Sequence, residues 1–230
     1  MLGYHQQLTT PLCDVVHSSS DRQTFQIFLR NPRNNRRRKF PQWEIEQFNC
    51  ALLRSSIRKY VIHAPYIMNP ASPDDELRNS AKGIIQSDME LLSELAGQKF
   101  YVLHPGSHKG VGLRNGWRNL LSVLEGVDTY GTTICIENMA GGGTELFHTI
   151  SELDYFKCAV PYKIAFDTAH CFESGHDPIE VFEAYKELIA VVHLNGSATV
   201  FNSRRDVHAN FHDSFWSLRR RNSPPCSRHR

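Results

Sequence analysis

The sequence predicts an α/β fold of the parallel (β/α) barrel type. Short apolar runs recur along the chain and are continuous rather than alternating, which is the pattern of strands buried on both faces. Amphipathic helical stretches separate them, so β and α segments alternate throughout. No Gly-x-Gly-x-x-Gly turn follows the first strand, which favours a closed parallel barrel over an open dinucleotide-binding sheet. A chain of 230 residues, 40% of them hydrophobic, has enough apolar surface for one sizeable core. The expected organisation is one barrel domain over residues 1–210 and a basic, disordered tail over 211–230.

The first clear strand is Thr24 to Leu29. A helix over Pro41 to Lys59 carries Trp43, Ile45, Phe48, Leu52 and Leu53, and leads into a strand at Tyr60 to Ile62. Asp74 to Ala96 reads as a helix closed by Gly97, followed by a strand at Phe100 to Leu103. Leu113 to Glu125 is a helix closed by Gly126, before a strand at Thr132 to Ile136. After a strand at Tyr162 to Phe166 comes the clearest helix, Asp177 to Ala190. It has Asp177 as N-cap, Pro178 at N1, Glu180 at N3, and Val181, Phe182, Tyr185, Leu188 and Ile189 on one face. A strand at Ile189 to Val192 overlaps its last two residues. From Phe211 to Arg230 the sequence turns rich in Arg, Ser and Pro and carries no strand pattern.

Twenty-six Lys and Arg against 24 Asp and Glu leave a net charge of +2. That excludes a chain-wide polyanion-binding signature, so any nucleic-acid surface must be local. Two basic clusters exist: Arg33, Arg36, Arg37, Arg38 and Lys39, and Arg219, Arg220, Arg221, Arg228 and Arg230; such runs are usually solvated faces. The six cysteines are scattered without C-x-x-C spacing and read as reduced thiols. No apolar run approaches the roughly 18 residues of a membrane span, and the N-terminus lacks a signal-peptide layout. The expectation is a soluble, intracellular monomer, cytoplasmic or nuclear.

Five predicted strands end on, or just before, a residue type that ligates metals: His63, His104, Glu137, Asp167 and His193. The intervals of 41, 33, 30 and 26 residues each match one βα unit. In a parallel barrel all strand C-termini face one mouth, where the active sites of this architecture sit. A single strand-end His is usually structural; five ligand types in succession are not explained that way. His170 follows Asp167 by three residues, and Asp206 and His208 form an Asp-x-His pair. Imidazole with carboxylate suits zinc, with manganese a poorer fit. Eight such groups exceed one tetrahedral ion, so a cluster of two or three ions is the economical reading, and such clusters typically cleave phosphate esters. Cys135 and Cys171 flank these positions, where core packing is the better reading than thiolate ligation. Gly141 to Gly143 suits a plain loop better than a phosphate cradle.

Through HAPY (His63 to Tyr66), LHPGS (Leu103 to Ser107), IEN (Ile136 to Asn138), FDTAH (Phe166 to His170), VHLN (Val192 to Asn195) and RRDVH (Arg204 to His208), the chain resembles the endonuclease IV family of apurinic/apyrimidinic endonucleases. The similarity runs from about Thr24 to Asn210, and order and spacing agree. The resemblance implies a TIM-type (β/α)8 barrel with a trinuclear zinc centre. His63, His104 and Glu137 would hold one ion. Glu137, the catalytic bridging carboxylate, would reach a second ion held also by Asp167 and His193, and His170, Asp206 and His208 would hold the third. It further implies hydrolysis of the phosphodiester 5′ to an abasic site by a zinc-activated hydroxide, trimming of blocked 3′ ends, and double-stranded DNA as partner. Tyr66, Ile67 and Arg33 would enter the minor groove while the damaged nucleotide is held outside the helix. Arg36 to Lys39 would then contact phosphates.

The chain also departs from the family pattern. The family's last strand ends in a glutamate that completes the cluster, whereas here basic sequence follows Asn210, so the resemblance implies a barrel lacking its last strand and a truncated or frameshifted C-terminus. Gly196 stands where an aspartate is usual, and Gly3-Tyr4-His5-Gln6-Gln7 only partly keeps the opening motif. Two other readings share the barrel: a metal-dependent sugar isomerase or epimerase, against which the Asp206-x-His208 pair and Tyr66-Ile67 argue, and an inactive homologue.

Overall fold

A computed structural model of the protein describes residues 1–211. Of the tail expected over 211–230, everything after Phe211, including the Arg219 to Arg230 cluster, lies outside the described residues. By contact the chain falls into two compact units, Met1–Ile136 and a second that begins at Glu137.

In the first unit five parallel strands pair in chain order: β1 (Gly3–His5), β2 (Thr24–Phe28), β3 (Lys59–His63), β4 (Gln98–Leu103) and β5 (Thr133–Glu137). The register sets Phe28 beside His63, and His63 beside Val102. β3 and β5 are buried along nearly their whole length, which is why their apolar runs are continuous. Between them lie α1 (Cys13–Ser18), α2 (Gln42–Arg54), α3 (Asp75–Glu94) and α4 (Leu113–Glu125). Tyr60 anchors this core, stacked on Phe25 at 5.2 Å and edge-on to Phe48 at 5.7 Å between ring centroids. Asp74 caps α3 by accepting the N–H groups of Glu76 and Leu77.

Two helix ends differ from the expectation. α2 stops at Arg54, not Lys59, because the N–H and Oγ of Ser55 both bond the Leu52 carbonyl and Lys59 already pairs in β3. Trp43 and Leu53, expected on the apolar face, are exposed, while Ile45, Phe48 and Leu52 are buried. α3 ends two residues before Ala96, and Gly97, at φ +87°, turns the chain into β4 instead of capping the helix directly.

The second unit holds α5 (Ile150–Ala159), β6 (Lys163–Asp167), α6 (Thr168–Glu173), α7 (Pro178–Tyr185), β7 (Ile189–His193), and the short antiparallel pair β8 (Gly196–Ser197) and β9 (His208–Ala209). β6 and β7 are parallel, with Asp167 beside His193. α5 starts from a capping box between Thr149 and Glu152. α7 begins at Pro178 under the Asp177 cap, as expected, but ends at Tyr185, five residues short of Ala190. The Leu188 N–H turns back onto the Tyr185 carbonyl and Ile189 pairs with β6, so sheet pairing of the β-branched run overrides the helical period. Among the described residues no helix is long and apolar enough to cross a membrane.

Candidate metal centre

The strands β5, β6 and β7 end on Glu137, Asp167 and His193, and all three of these residues belong to the second unit. Asn138 ties the first two ends together: its N–H donates to the Ala165 carbonyl, its Oδ1 accepts the Asp167 N–H at 2.7 Å and its Nδ2 donates to the Asp167 carbonyl at 3.1 Å. Asp167 is fully buried and caps α6, Oδ1 accepting the N–H groups of Ala169 at 2.8 Å and His170 at 3.0 Å. Its Oδ2 takes a 2.5 Å bond from Asn195 Nδ2 and faces His208 Nε2 at 3.7 Å and His193 Nδ1 at 3.9 Å. Glu137, equally hidden, meets His193 Nδ1 at 2.9 Å through Oε1.

α6 then presents His170. Its Nδ1 lies 2.8 Å from the Asn138 carbonyl, which places a proton there and turns Nε2 toward Asp206 Oδ1 at 3.3 Å and His208 Nε2 at 3.3 Å. His208 Nε2 also sits 3.2 Å from Asp206 Oδ1. Two buried carboxylates and a third beside them therefore face imidazoles. Burial opposes charge on His170, but Asp167, Asp206 and Glu137 outweigh it and hold its pKa well above the ordinary imidazole value. Burial opposes charge on His193 as well, and Glu137 and Asp167 raise its pKa.

This donor set fits a divalent ion. Donors about 2.0–2.1 Å from a tetrahedral zinc lie roughly 3.4 Å from one another. The donor atoms of Asp167, His170 and His208 all fall within 4.8 Å of one another, as do those of Glu137, Asp167 and His193. Two imidazole nitrogens facing each other at 3.3 Å need a shared proton or a cation.

In the first unit, His63 closes β3 and His104 follows β4, their rings 5.3 Å apart and nearly perpendicular. His63 Nδ1 lies 2.7 Å from the Ala64 carbonyl, the same arrangement that orients His170. Tyr66 packs 5.2 Å from His63 and 5.3 Å from His104, with half its surface still exposed, as is that of Ile67. The Tyr66 N–H donates to the Pro32 carbonyl at 3.0 Å, which brings the exposed Arg33 turn against the Tyr66 loop.

One expectation is corrected, and two others, the plain Gly141 to Gly143 loop and the core packing of Cys135 and Cys171, hold. Arg37 and Arg38 are not a solvated phosphate-binding run: Arg37 bonds Asp88 at 3.2 Å, and Arg38 grips Glu44 through both guanidinium ends, leaving Arg33, Arg36 and Lys39 exposed. The N–H groups of Gly141 and Gly142 donate to Glu145 Oε2 at 3.1 and 2.8 Å, so this loop satisfies its own donors. Cys135 and Cys171 are buried in the core, and burial pushes the Cys171 thiol far up. Asn138, Asn195 and Thr168, whose Oγ1 donates to the Asn195 carbonyl at 2.6 Å, are not among the residues expected at the site. A usable signal existed: an amide side chain directly after Glu137 and two residues after His193.

The family model for xylose isomerase-like TIM barrels matches residues 19–218, which establishes the barrel class. Among the described residues seven parallel strands are present, one fewer than the eight of a full barrel. The chain is 35% identical over 199 residues to the probable endonuclease 4 of Finegoldia magna, a match spanning 82% of this chain and 72% of that protein. It superposes on the crystal structure of endonuclease IV from Thermus thermophilus with a TM-score of 0.80 and 28% identity, covering 92% of this chain and 82% of the other. The chain belongs to the endonuclease IV family. A D-tagatose 3-epimerase-like protein, at TM-score 0.62 and 20% identity over 85% of this chain and 77% of its own, shares the fold alone.

Proposed function

We propose that the protein is a zinc-dependent DNA repair endonuclease that hydrolyses the phosphodiester 5′ to abasic sites in double-stranded DNA and trims blocked 3′ ends. The observation that carries this reading is the set of buried carboxylates facing imidazoles around Asp167, in a chain whose relatives are endonucleases 4. Glu137, Asp167 and His193 hold one ion, and His170, Asp206 and His208 another; His63 and His104 supply imidazoles to a third. Bound zinc supplies Lewis acidity, lowering the pKa of water toward neutrality and stabilising charge on the departing oxygen.

The protein's own groups orient this set. The Asn138 side chain fixes the backbone of Asp167 and its carbonyl accepts a hydrogen bond from His170 Nδ1–H, so that Nε2 points inward. Asn195 holds Asp167 Oδ2 in place. Exposed Tyr66 and Ile67, with Arg33 beside them, suit insertion into a minor groove, where extruding a nucleotide that has lost its base costs little unpairing energy.

The test is cleavage of a duplex containing one tetrahydrofuran abasic analogue, with zinc and with chelator. We expect a single cut 5′ to the analogue, lost with chelator and restored by zinc. An intact strand with zinc present sinks the proposal.

A further inference from the structure

We propose that Glu173 is a positioning residue that fixes the segment carrying Asp206 and His208 against α6, and through it the affinity of the ion those residues hold. The inference rests on the metal-centre reading given above. Glu173 is the last residue of α6, three residues after His170 and therefore on the same side of the helix. It is completely buried, an expensive place for a carboxylate, and Oε2 is buried without a hydrogen-bond partner among the described residues.

Its other oxygen does the bonding. Oε1 accepts the Ser197 hydroxyl at 2.6 Å, the Thr199 hydroxyl at 3.2 Å and the Val207 N–H at 3.2 Å. Ser197 lies in β8, and Val207 stands between Asp206 and His208, so one carboxylate oxygen holds both arms of the hairpin loop. Backbone contacts at the same end of α6 add to this: the Arg204 N–H donates to the Glu173 carbonyl at 3.0 Å, and the Asn202 N–H to that of Phe172 at 3.2 Å. His170, which faces Asp206 and His208, and the loop that brings them to it thus meet at Glu173. Side chains that orient ligands from behind typically govern affinity by about 10–100-fold.

The experiment compares the full chain with Glu173→Ala, Glu173→Gln and Ser197→Ala. Amide hydrogen exchange of residues 196–209 is measured on chelator-treated protein, and zinc affinity by competition with a chromogenic chelator. We expect Glu173→Ala to lose protection at Val207 and to bind its weakest zinc about 10–100-fold less tightly. Glu173→Gln keeps an oxygen for the three donors and stays within about threefold of wild type, and Ser197→Ala falls between them. Unchanged exchange or zinc affinity in Glu173→Ala overturns the inference, as does a Gln variant as impaired as the Ala variant. If Glu173→Ala does not fold, Ser197→Ala decides: wild-type exchange and affinity there overturn it. A wild-type chain that binds no zinc indicts the metal-centre reading instead, because the exchange comparison needs no metal.

Discussion

Two buried aspartates, one in each unit, are served by opposite chemistry. Asp88 in α3 is met by guanidinium groups, Arg30 at 2.8 Å and Arg37 at 3.2 Å, with the Tyr101 hydroxyl at 2.9 Å on its other oxygen. Burial raises its pKa against the pull of Arg30 and Arg37. Asp167 is as deeply buried, but its partners are backbone N–H groups, the Asn195 amide and the imidazoles of His193 and His208. A guanidinium is permanently charged and remains with its carboxylate, making a brace. An imidazole can give up its proton and offer a lone pair, so in the proposed metal centre the same carboxylate would serve as half of a cation site.

The largest effect should come from breaking the brace. Asp88→Ala leaves Arg30, Arg37 and Tyr101 without their shared acceptor and should cost about 3–5 kcal/mol in urea denaturation. Zinc bound per folded chain should not change; a parallel loss of zinc would erase the distinction between brace and cation site. Asp167→Asn should do the reverse, weakening zinc by at least about 100-fold, beyond what an orienting residue governs. Direct zinc titration of the purified variant reads this, and near-normal affinity would remove Asp167 from the ligand set.

Asn138→Ala sharpens the comparison further. It leaves every proposed ligand in place and removes only the bonds that orient Asp167, so zinc affinity should fall about 10–100-fold in the same titration. The smallest effect concerns the second brace, Glu44. Arg38 bonds it, and although burial opposes, Arg38 and the Leu12 N–H hold its pKa below the usual 4.5. A depressed carboxylate stabilises the fold fully above its unfolded pKa and loses that contribution as pH falls through the folded one. Glu44→Gln should therefore melt earlier than wild type above pH 4.5, by the equivalent of about 1.5 kcal/mol, and the two melting curves should converge below it. A constant gap at every pH would show that packing, not charge, accounts for the difference.

Much of this arrangement is legible in the sequence because its causes are local or periodic. Parallel strands buried on both faces produce unbroken apolar runs, and the runs before His63, Glu137 and Asp167 are strands β3, β5 and β6. Asp74 and Asp177 are recognisable caps because a cap acts within three residues of itself. The candidate site is partly legible for the same reason: ligand types at regular strand ends carry a period.

The tertiary structure decided what depends on distant partners. Nothing near Arg37 or Arg38 distinguishes them from Arg36, yet Asp88 lies 51 residues from Arg37, while Glu44, six residues from Arg38, is itself committed to α2. α7 stops where it does because Ile189 finds β6, not because its own period ends. Glu173 looks like any helix-terminal glutamate until the loop at Ser197, Thr199 and Val207 folds over it. Sequence by itself determined six of the seven barrel strands, missing the short β1, and which residue types stand at their ends, since burial and backbone geometry write themselves into nearby residues. Only the folded chain decided which charges brace the core and which remain available to a cation, because a charge is defined by the partner it meets.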